Sequence, residues 1–99
     1  MDTMVTNAPD RQRYEAHVGD ALAGFSQYTT EDGAVVFTHT EVEPQFEGEG
    51  IGSTLIAGAL DDVRRRGLEV VPLCEFVAAY IQKHPDEYGD LVQRGDAAP

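Results

Sequence analysis

Three glycines at alternate positions, Gly48, Gly50 and Gly52, precede a helical pattern in the middle of this 99-residue chain. The apolar residues of that pattern run from Leu55 to Val63. Glycine lets a loop backbone approach a ligand closely. The first N–H groups of a helix have no intrahelical acceptor and carry partial positive charge. The spacing therefore predicts a site for an anion such as a pyrophosphate, bound by the main-chain amides of Gly48, Glu49, Gly50, Ile51, Gly52 and Ser53.

Two familiar nucleotide-binding loops do not fit this segment. A Walker loop needs a Lys before its Ser or Thr, and Ser53 follows Gly52 directly. A dinucleotide fingerprint needs a third Gly where Ser53 or Leu55 stands, and an acid at the end of the next strand, whereas Glu69 lies near the start of its strand. A glycine turn with no ligand is the remaining alternative, and the position of the loop between a strand and a helix disfavours it.

Three strands are predicted before the loop. Tyr14, Ala16 and Val18 alternate with polar residues, and further strand patterns cover 21–28 and 34–42. Short turns at 19–20 and 30–33 separate them, so we expect an antiparallel meander.

The pattern after the loop changes to helix, strand and helix. The first helix is expected to end in a run of three arginines before Gly67. A short strand over 68–73 is interrupted by Pro72, and a second helical stripe around 76–81 stops before Pro85. A short closing segment is predicted over 88–92. This order predicts an α+β fold with a mixed sheet.

Composition limits the domain count and the partners. We expect one domain over residues 12–93, with loose tails at 1–11 and 94–99. A formal net charge of −11 disfavours nucleic acid and anionic membrane surfaces and mildly favours cationic substrates. The single cysteine, the lack of a secretion signal and the lack of a long apolar run predict a cytoplasmic protein that does not enter the membrane.

The glycine loop before an amphipathic helix resembles the acetyl-CoA pyrophosphate loop of the GNAT acetyltransferase superfamily. The chain resembles the small YjdJ-type branch more closely, in four segments and one dipeptide. These are His39-Thr40-Glu41-Val42, Gly50-Ile51-Gly52-Ser53, Val70-Val71-Pro72-Leu73-Cys74, Phe76-Val77-Ala78-Ala79-Tyr80-Ile81 and His84-Pro85. The resemblance covers about Tyr14 to Val92. Two positions depart from it: Glu47 replaces the usual Gln or Arg, and Glu75 replaces an expected Pro.

The resemblance implies a minimal GNAT fold without the N-terminal helices that wall the acceptor pocket in larger relatives. It implies acetyl-CoA as cosubstrate and transfer of its acetyl group to an amine, either a small molecule or a protein lysine. A non-catalytic CoA-binding module of the same fold is the alternative, because an open site orients an acceptor poorly. A purely structural interaction protein is a third interpretation.

Cys74 and Tyr80 are the candidate reacting residues of the second helix. The resemblance singles out Cys74, and a helix N-terminus favours its thiolate, while the neighbouring Glu75 opposes it. A small buried side chain is the competing role of Cys74. A tyrosine of this helix protonates the coenzyme thiolate in many GNAT enzymes, so Tyr80 is the candidate general acid, with core packing as its alternative.

His39 and Glu41 are candidates for a proton relay from the amine to solvent. They lie two residues apart on a strand, so we expect them on one sheet face together with Phe37. An exposed polar strand end is the alternative. The three histidines and the cysteine show no metal-ligand spacing, so no metal site is predicted.

Overall fold

The computed structural model describes residues 2–93, and its centre is one five-stranded sheet in the order β1-β2-β3-β4-β5. The first four strands form an antiparallel meander, and β5 pairs with β4 in parallel. The mixed sheet of the α+β prediction is therefore confirmed. The strands are β1 Thr3–Ala8, β2 Arg13–Val18, β3 Ala21–Glu31, β4 Ala34–Val42 and β5 Glu69–Pro72.

The prediction of a loose tail over residues 1–11 was wrong. β1 pairs with β2 along its whole length, from Thr3 opposite Val18 to Ala8 opposite Arg13. Its six residues are half polar and half apolar without a clear strand pattern, and only Val5 packs against the core. The hydrophobic pattern therefore gives no clear sign of this strand. The predicted tail at 94–99 lies outside the described residues.

Three helices and three short 3₁₀ turns complete the described chain. The helices are α1 Ile51–Arg65, α2 Glu75–Lys83 and α3 Pro85–Tyr88. The 3₁₀ turns are Pro9–Arg11, Pro44–Phe46 and Gly89–Leu91. None of the helices between residues 2 and 93 combines the length and apolar character needed to cross a membrane.

The core lies between α1, α2 and one face of the sheet. Every member of the predicted α1 stripe is fully buried: Leu55, Ile56, Ala59, Leu60 and Val63. The α2 stripe divides, because Val77 and Ile81 are buried whereas Phe76 is 43% exposed. One side of α2 therefore completes the core, and Phe76 marks a second side that faces a groove.

Because of a β-bulge at Thr38, the side chains at the end of β4 lie on the opposite sheet face from the one that simple alternation predicts. Tyr28 of β3 pairs with Phe37, and Gln27 pairs with His39. Thr38 therefore has no partner on β3 and is the extra residue of the bulge. Phe37 is fully buried in the core. His39 and Glu41 lie on the opposite, outer face, so the prediction that they share a face with Phe37 was wrong.

Candidate active site

The three glycines of the loop are required for two different reasons. Gly48 and Gly50 have φ angles of 85° and 77°, in the left-handed region that favours glycine. Gly50 is the N-cap of α1, which confirms that the loop opens a helix. Gly52 is helical, and a Cβ atom there would lie 2.5 Å from Cζ of Phe76. The loop thus takes its shape from two backbone turns and from the close approach of α2.

Six consecutive N–H groups, from Gly48 to Ser53, have no hydrogen-bond acceptor within the described part of the chain. The N–H before them, of Glu47, donates to the Pro44 carbonyl at 3.2 Å, and the N–H after them, of Thr54, donates to the Gly50 carbonyl at 3.1 Å. The last three of the six belong to the first turn of α1, where the helix dipole is positive. An anion with several oxygens is the complementary ligand.

These donors border a groove with a volume of about 390 Å³, here called the loop groove. Its walls come from the end of β4, the loop, the start of α1 and one residue of α2. They comprise Thr40, Val42, Phe46, Glu47, Gly48, Gly50, Ile51, Gly52, Ser53 and Phe76.

A second groove of about 280 Å³, here called the helix groove, continues along α2. It shares Ser53 and Phe76 with the loop groove, so the two are adjacent. Its lining comprises Ser53, Phe76, Ala79, Tyr80, Lys83 and His84.

The sheet opens beside the loop groove, where β4 and β5 part. Their parallel pairing ends at Phe37 opposite Pro72, and one further bond joins the Cys74 N–H to the Phe37 carbonyl at 2.9 Å. β4 continues to Val42 without β5 beside it. Thr40 and Val42 of this unpaired length line the loop groove, so the groove reaches a free strand edge.

Cys74 lies just behind the wall of the loop groove. It is the N-cap residue of α2, its side chain is buried, and it is not among the lining residues. Its thiol donates a hydrogen bond of 3.4 Å to Oγ1 of Thr40, which is 2.9 Å from Oγ of the fully buried Ser26. The structure therefore brings Cys74 to the groove through Thr40.

Tyr80 lines the helix groove and lies apart from Cys74. Six residues of helix separate them, which is about 9 Å along the axis. The Tyr80 ring stacks on His84 with 4.3 Å between centroids. Burial raises the pKa of Tyr80, and the charges of Glu87 and Asp61 raise it further, so the phenol is protonated at neutral pH. It can therefore donate a proton.

His39 and Glu41 form a close pair on the outer sheet face. His39 Nε2 donates to Oε2 of Glu41 at 2.7 Å, and the two side chains are 52% and 58% exposed. They alternate with Thr40 and Val42, so they point away from the loop groove. They border the opening between β4 and β5 from the other face of the sheet.

The sequence places Phe76 only in the helical stripe of α2 and Lys83 only near the helix end, beside His84 and a coenzyme phosphate, and it gives Thr40 no role of its own. Thr40 becomes significant only once the register places it opposite Ser26. The sequence contains one indication that Phe76 could line a groove, because it is a large apolar residue at the edge of the α2 stripe. The roles of Thr40 and Lys83 depend on which strands and helices meet.

The comparison with protein families agrees with this geometry. A family model described as GCN5-related N-acetyltransferase matches residues 13–91. The chain belongs to this family. The match covers every strand except β1, both long helices and the glycine loop, so acetyl transfer is the general class of activity that family and fold support. The YjdJ-type branch stays a prediction.

A solved structure has the same fold. The NMR solution structure of a GCN5-like protein from Staphylococcus aureus matches with a TM-score of 0.65, covering 91% of this chain and 87% of that chain. The two are 17% identical, so the likeness concerns the GNAT fold alone. No curated protein matches the chain.

Proposed function

We propose that this GNAT protein binds acetyl-CoA in the loop groove and transfers the acetyl group to an amine. The observation that carries the proposal is the row of six acceptor-free N–H groups from Gly48 to Ser53 beside the groove. Bound acetyl-CoA would supply an activated acetyl thioester. The loop fits a diphosphate because a multiply charged anion can accept from several converging amides at once.

The free edge of β4 is a suitable binding surface for the pantetheine arm of the coenzyme. An extended amide-bearing chain can add beside an unpaired strand through main-chain hydrogen bonds. The unpaired length beyond Phe37 supplies such an edge, and its Thr40 and Val42 side chains line the groove. We infer that the pantetheine arm lies along β4 and brings the thioester to the opening between β4 and β5.

The amine is proposed to approach from the outer sheet face. An attacking amine must lose a proton, and a positioned imidazole or carboxylate is a common acceptor. His39 and Glu41 lie at that side of the opening and are already hydrogen-bonded to each other at 2.7 Å. In this arrangement His39 takes the proton of the amine and Glu41 orients the ring. As the amide bond forms, the C–S bond of the thioester breaks, and CoA leaves as a thiolate that takes a proton from solvent.

Direct attack by the amine is favoured over transfer through Cys74. The thiol is buried, and its hydrogen is donated to Thr40, so nucleophilic attack would require loss of that hydrogen bond. Cys74 is then a side chain that supports the groove wall. Transfer through the cysteine is the competing route.

Intact mass spectrometry separates these routes. After incubation with acetyl-CoA alone, the direct route predicts no adduct on Cys74, and Cys74→Ala should keep most of the activity. A stable adduct that disappears in Cys74→Ala and is passed to an added amine would establish the cysteine route.

A non-catalytic CoA-binding module is the second candidate. It is favoured by the open outer face, because between residues 2 and 12 the structure has no α-helix that could wall an acceptor site. CoA release should be measured with a panel of small amines, polyamines and lysine peptides. Turnover that falls at least tenfold in His39→Gln, with unchanged acetyl-CoA affinity, supports the enzyme. Saturable binding with no turnover on any amine supports the module.

A further inference from the structure

The two edges of the sheet differ in how well they are protected from pairing with another chain. Edge strands are commonly protected by charges, proline, bulges or a covering segment, because their main-chain groups can otherwise pair with a further strand. β5 has such protection, since it begins at Glu69 and ends at Pro72. Its Val70 carbonyl also accepts a hydrogen bond of 2.8 Å from the Gln93 N–H, so a following segment covers this edge.

β1, at the other edge of the sheet, has none of these protections. Its residues, Thr3–Ala8, include no charged side chain and no proline, in a chain of which 25% is charged. Its pairing with β2 includes every residue of the strand and contains no bulge. Among residues 2–93, only β2 is hydrogen-bonded to β1 through the backbone. The outer edge of β1 therefore presents a continuous row of unused main-chain donors and acceptors.

The register of the sheet shows which main-chain groups of β1 point outward. The Tyr28 N–H donates to the Gln12 carbonyl at 2.9 Å, so the hydrogen-bonded pairs between β2 and β3 fall on even-numbered residues of β2. The odd-numbered residues of β2 therefore bond to β1, where they face Met4, Thr6 and Ala8. The other residues of β1 direct their N–H and C=O groups away from the sheet, and these are Thr3, Val5 and Asn7.

This outward row is complementary to itself. In an antiparallel pair, residues that face each other across a hydrogen-bonded position exchange two bonds. With a two-fold axis at Val5, Thr3 of one copy faces Asn7 of the other copy, and Val5 faces its own equivalent. All outward groups of both copies are then used, in about six hydrogen bonds. A shift by two residues would instead place Thr3 opposite Pro9, which has no N–H to donate.

The same register covers exposed side chains of β1. Met4 is 62% exposed, and on the outer sheet face it would lie opposite Thr6 of the second copy. On the inner face, Val5 would meet the second Val5 beside the core that it already contacts. Because the strand carries no charge, no like charges meet along it, although each copy has a net charge of −11.

We propose that two copies of this chain associate through β1, paired antiparallel about a two-fold axis at Val5, to form one continuous sheet. Because the β5 edge is protected, the assembly ends at the dimer. The opening between β4 and β5 lies at the other side of each sheet, so both loop grooves remain accessible. The proposal does not depend on the proposed function.

Sedimentation velocity of the full chain over a range of concentrations tests the proposal. We expect monomer and dimer to exchange at about 10–100 µM protein, because an interface of one strand from each copy belongs to the small class. Thr3→Pro should weaken dimerisation at least about tenfold, since it removes an outward N–H from each copy but no bond to β2. Proline is tolerated at the first residue of a strand.

Thr3→Ala is the matched control. It also removes the threonine side chain but keeps the N–H, so its dimerisation should stay within about twofold of the wild type.

Amide hydrogen exchange measured by NMR gives a second readout on the wild type. In the monomer, the N–H groups of Met4 and Thr6 are bonded to β2, whereas those of Thr3, Val5 and Asn7 point outward. We expect the protection of the outward groups to rise at least about threefold between dilute and concentrated protein, with little change at Met4 and Thr6.

The outcomes decide the proposal. A monomer at all concentrations up to about 500 µM would overturn it. A dimer without added protection at Thr3, Val5 and Asn7, or equal dimerisation of Thr3→Pro and Thr3→Ala, would also overturn it, because the interface would then lie elsewhere. Association beyond the dimer would contradict the closed two-fold arrangement. Alternating protection together with selective loss of dimer in Thr3→Pro supports it.

Discussion

Gly52 and Gly58 lie on the same helix, and replacing each with alanine should have opposite consequences. At Gly52 the new Cβ would lie 2.5 Å from Cζ of Phe76. The ring must retreat by about 1 Å to reach a normal carbon–carbon separation. Phe76 is 43% exposed, so its ring can swing toward the grooves whose shared wall it forms.

The cost of Gly52→Ala should therefore appear in binding more than in stability. Alanine gains about 0.8–1 kcal/mol of helix propensity over glycine, which offsets the strain of moving a half-exposed ring. We expect the free energy of unfolding to change by less than about 1 kcal/mol. CoA affinity should fall about tenfold, equivalent to about 1.4 kcal/mol, because the displaced ring crowds the site beside the amides.

Gly58→Ala is the matched control. Its Cβ would lie 2.9 Å from both Cβ and Cγ1 of Val5 in β1. The Cβ of Val5 is fixed to the strand backbone, so the strand itself must shift, and such overpacking costs about 1–3 kcal/mol, reduced by about 1 kcal/mol of helix propensity. We expect lower stability with unchanged CoA affinity.

Urea denaturation and calorimetric titration with CoA measure the two quantities separately. The reasoning would be refuted if Gly52→Ala bound CoA like the wild type, or if Gly58→Ala weakened binding as strongly as Gly52→Ala. Either result would place the CoA site away from the Phe76 wall.

Three further predictions concern charge, core and chemistry. Hydrogen bonds, first from His17 and then from two arginines, lower the pKa of Glu15 to about 2 from the ordinary 4.5, although burial opposes this shift. The ionised Glu15 therefore stabilises the fold above about pH 4.5, and this contribution is lost as the pH falls toward 2. Glu15→Gln should remove about 2 kcal/mol at pH 7 after allowance for solvent screening, and urea titrations in which its difference from the wild type stayed constant down to pH 2 would contradict this. Tyr14→Phe should cost about 1–2 kcal/mol because the buried hydroxyl donates to Asp62 at 2.6 Å, and an unchanged denaturation midpoint would contradict it. Cys74→Ala should leave CoA affinity within about twofold by calorimetry, and a loss beyond tenfold would show that the thiol contacts the ligand.

The elements that carry strong apolar patterns were predictable from the sequence. The α1 stripe and the three strands of the meander at residues 14–42 were found because each buries one face, and the glycine spacing located the start of α1. The sequence assigned Gly48 and Gly50 to close approach of the backbone to a ligand, whereas their positive φ angles became known only from the structure.

The missed features depend on pairing between distant residues. β1 is a short edge strand of mixed polarity that is held by its pairing with β2 and by the contact of Val5 with the core. The bulge at Thr38 becomes visible only when β4 is aligned with β3, and it turned Phe37 inward while His39 remained outward.

The central claim is that the amides from Gly48 to Ser53 bind the diphosphate of acetyl-CoA. Titration of ¹⁵N-labelled protein with acetyl-CoA, followed by ¹H–¹⁵N correlation spectra, observes each of these groups individually. We predict saturable shifts that are largest at residues 48–53, with the amides of β1 unaffected. Unchanged signals at residues 48–53 with saturating acetyl-CoA, or shifts confined to another surface, would contradict the claim.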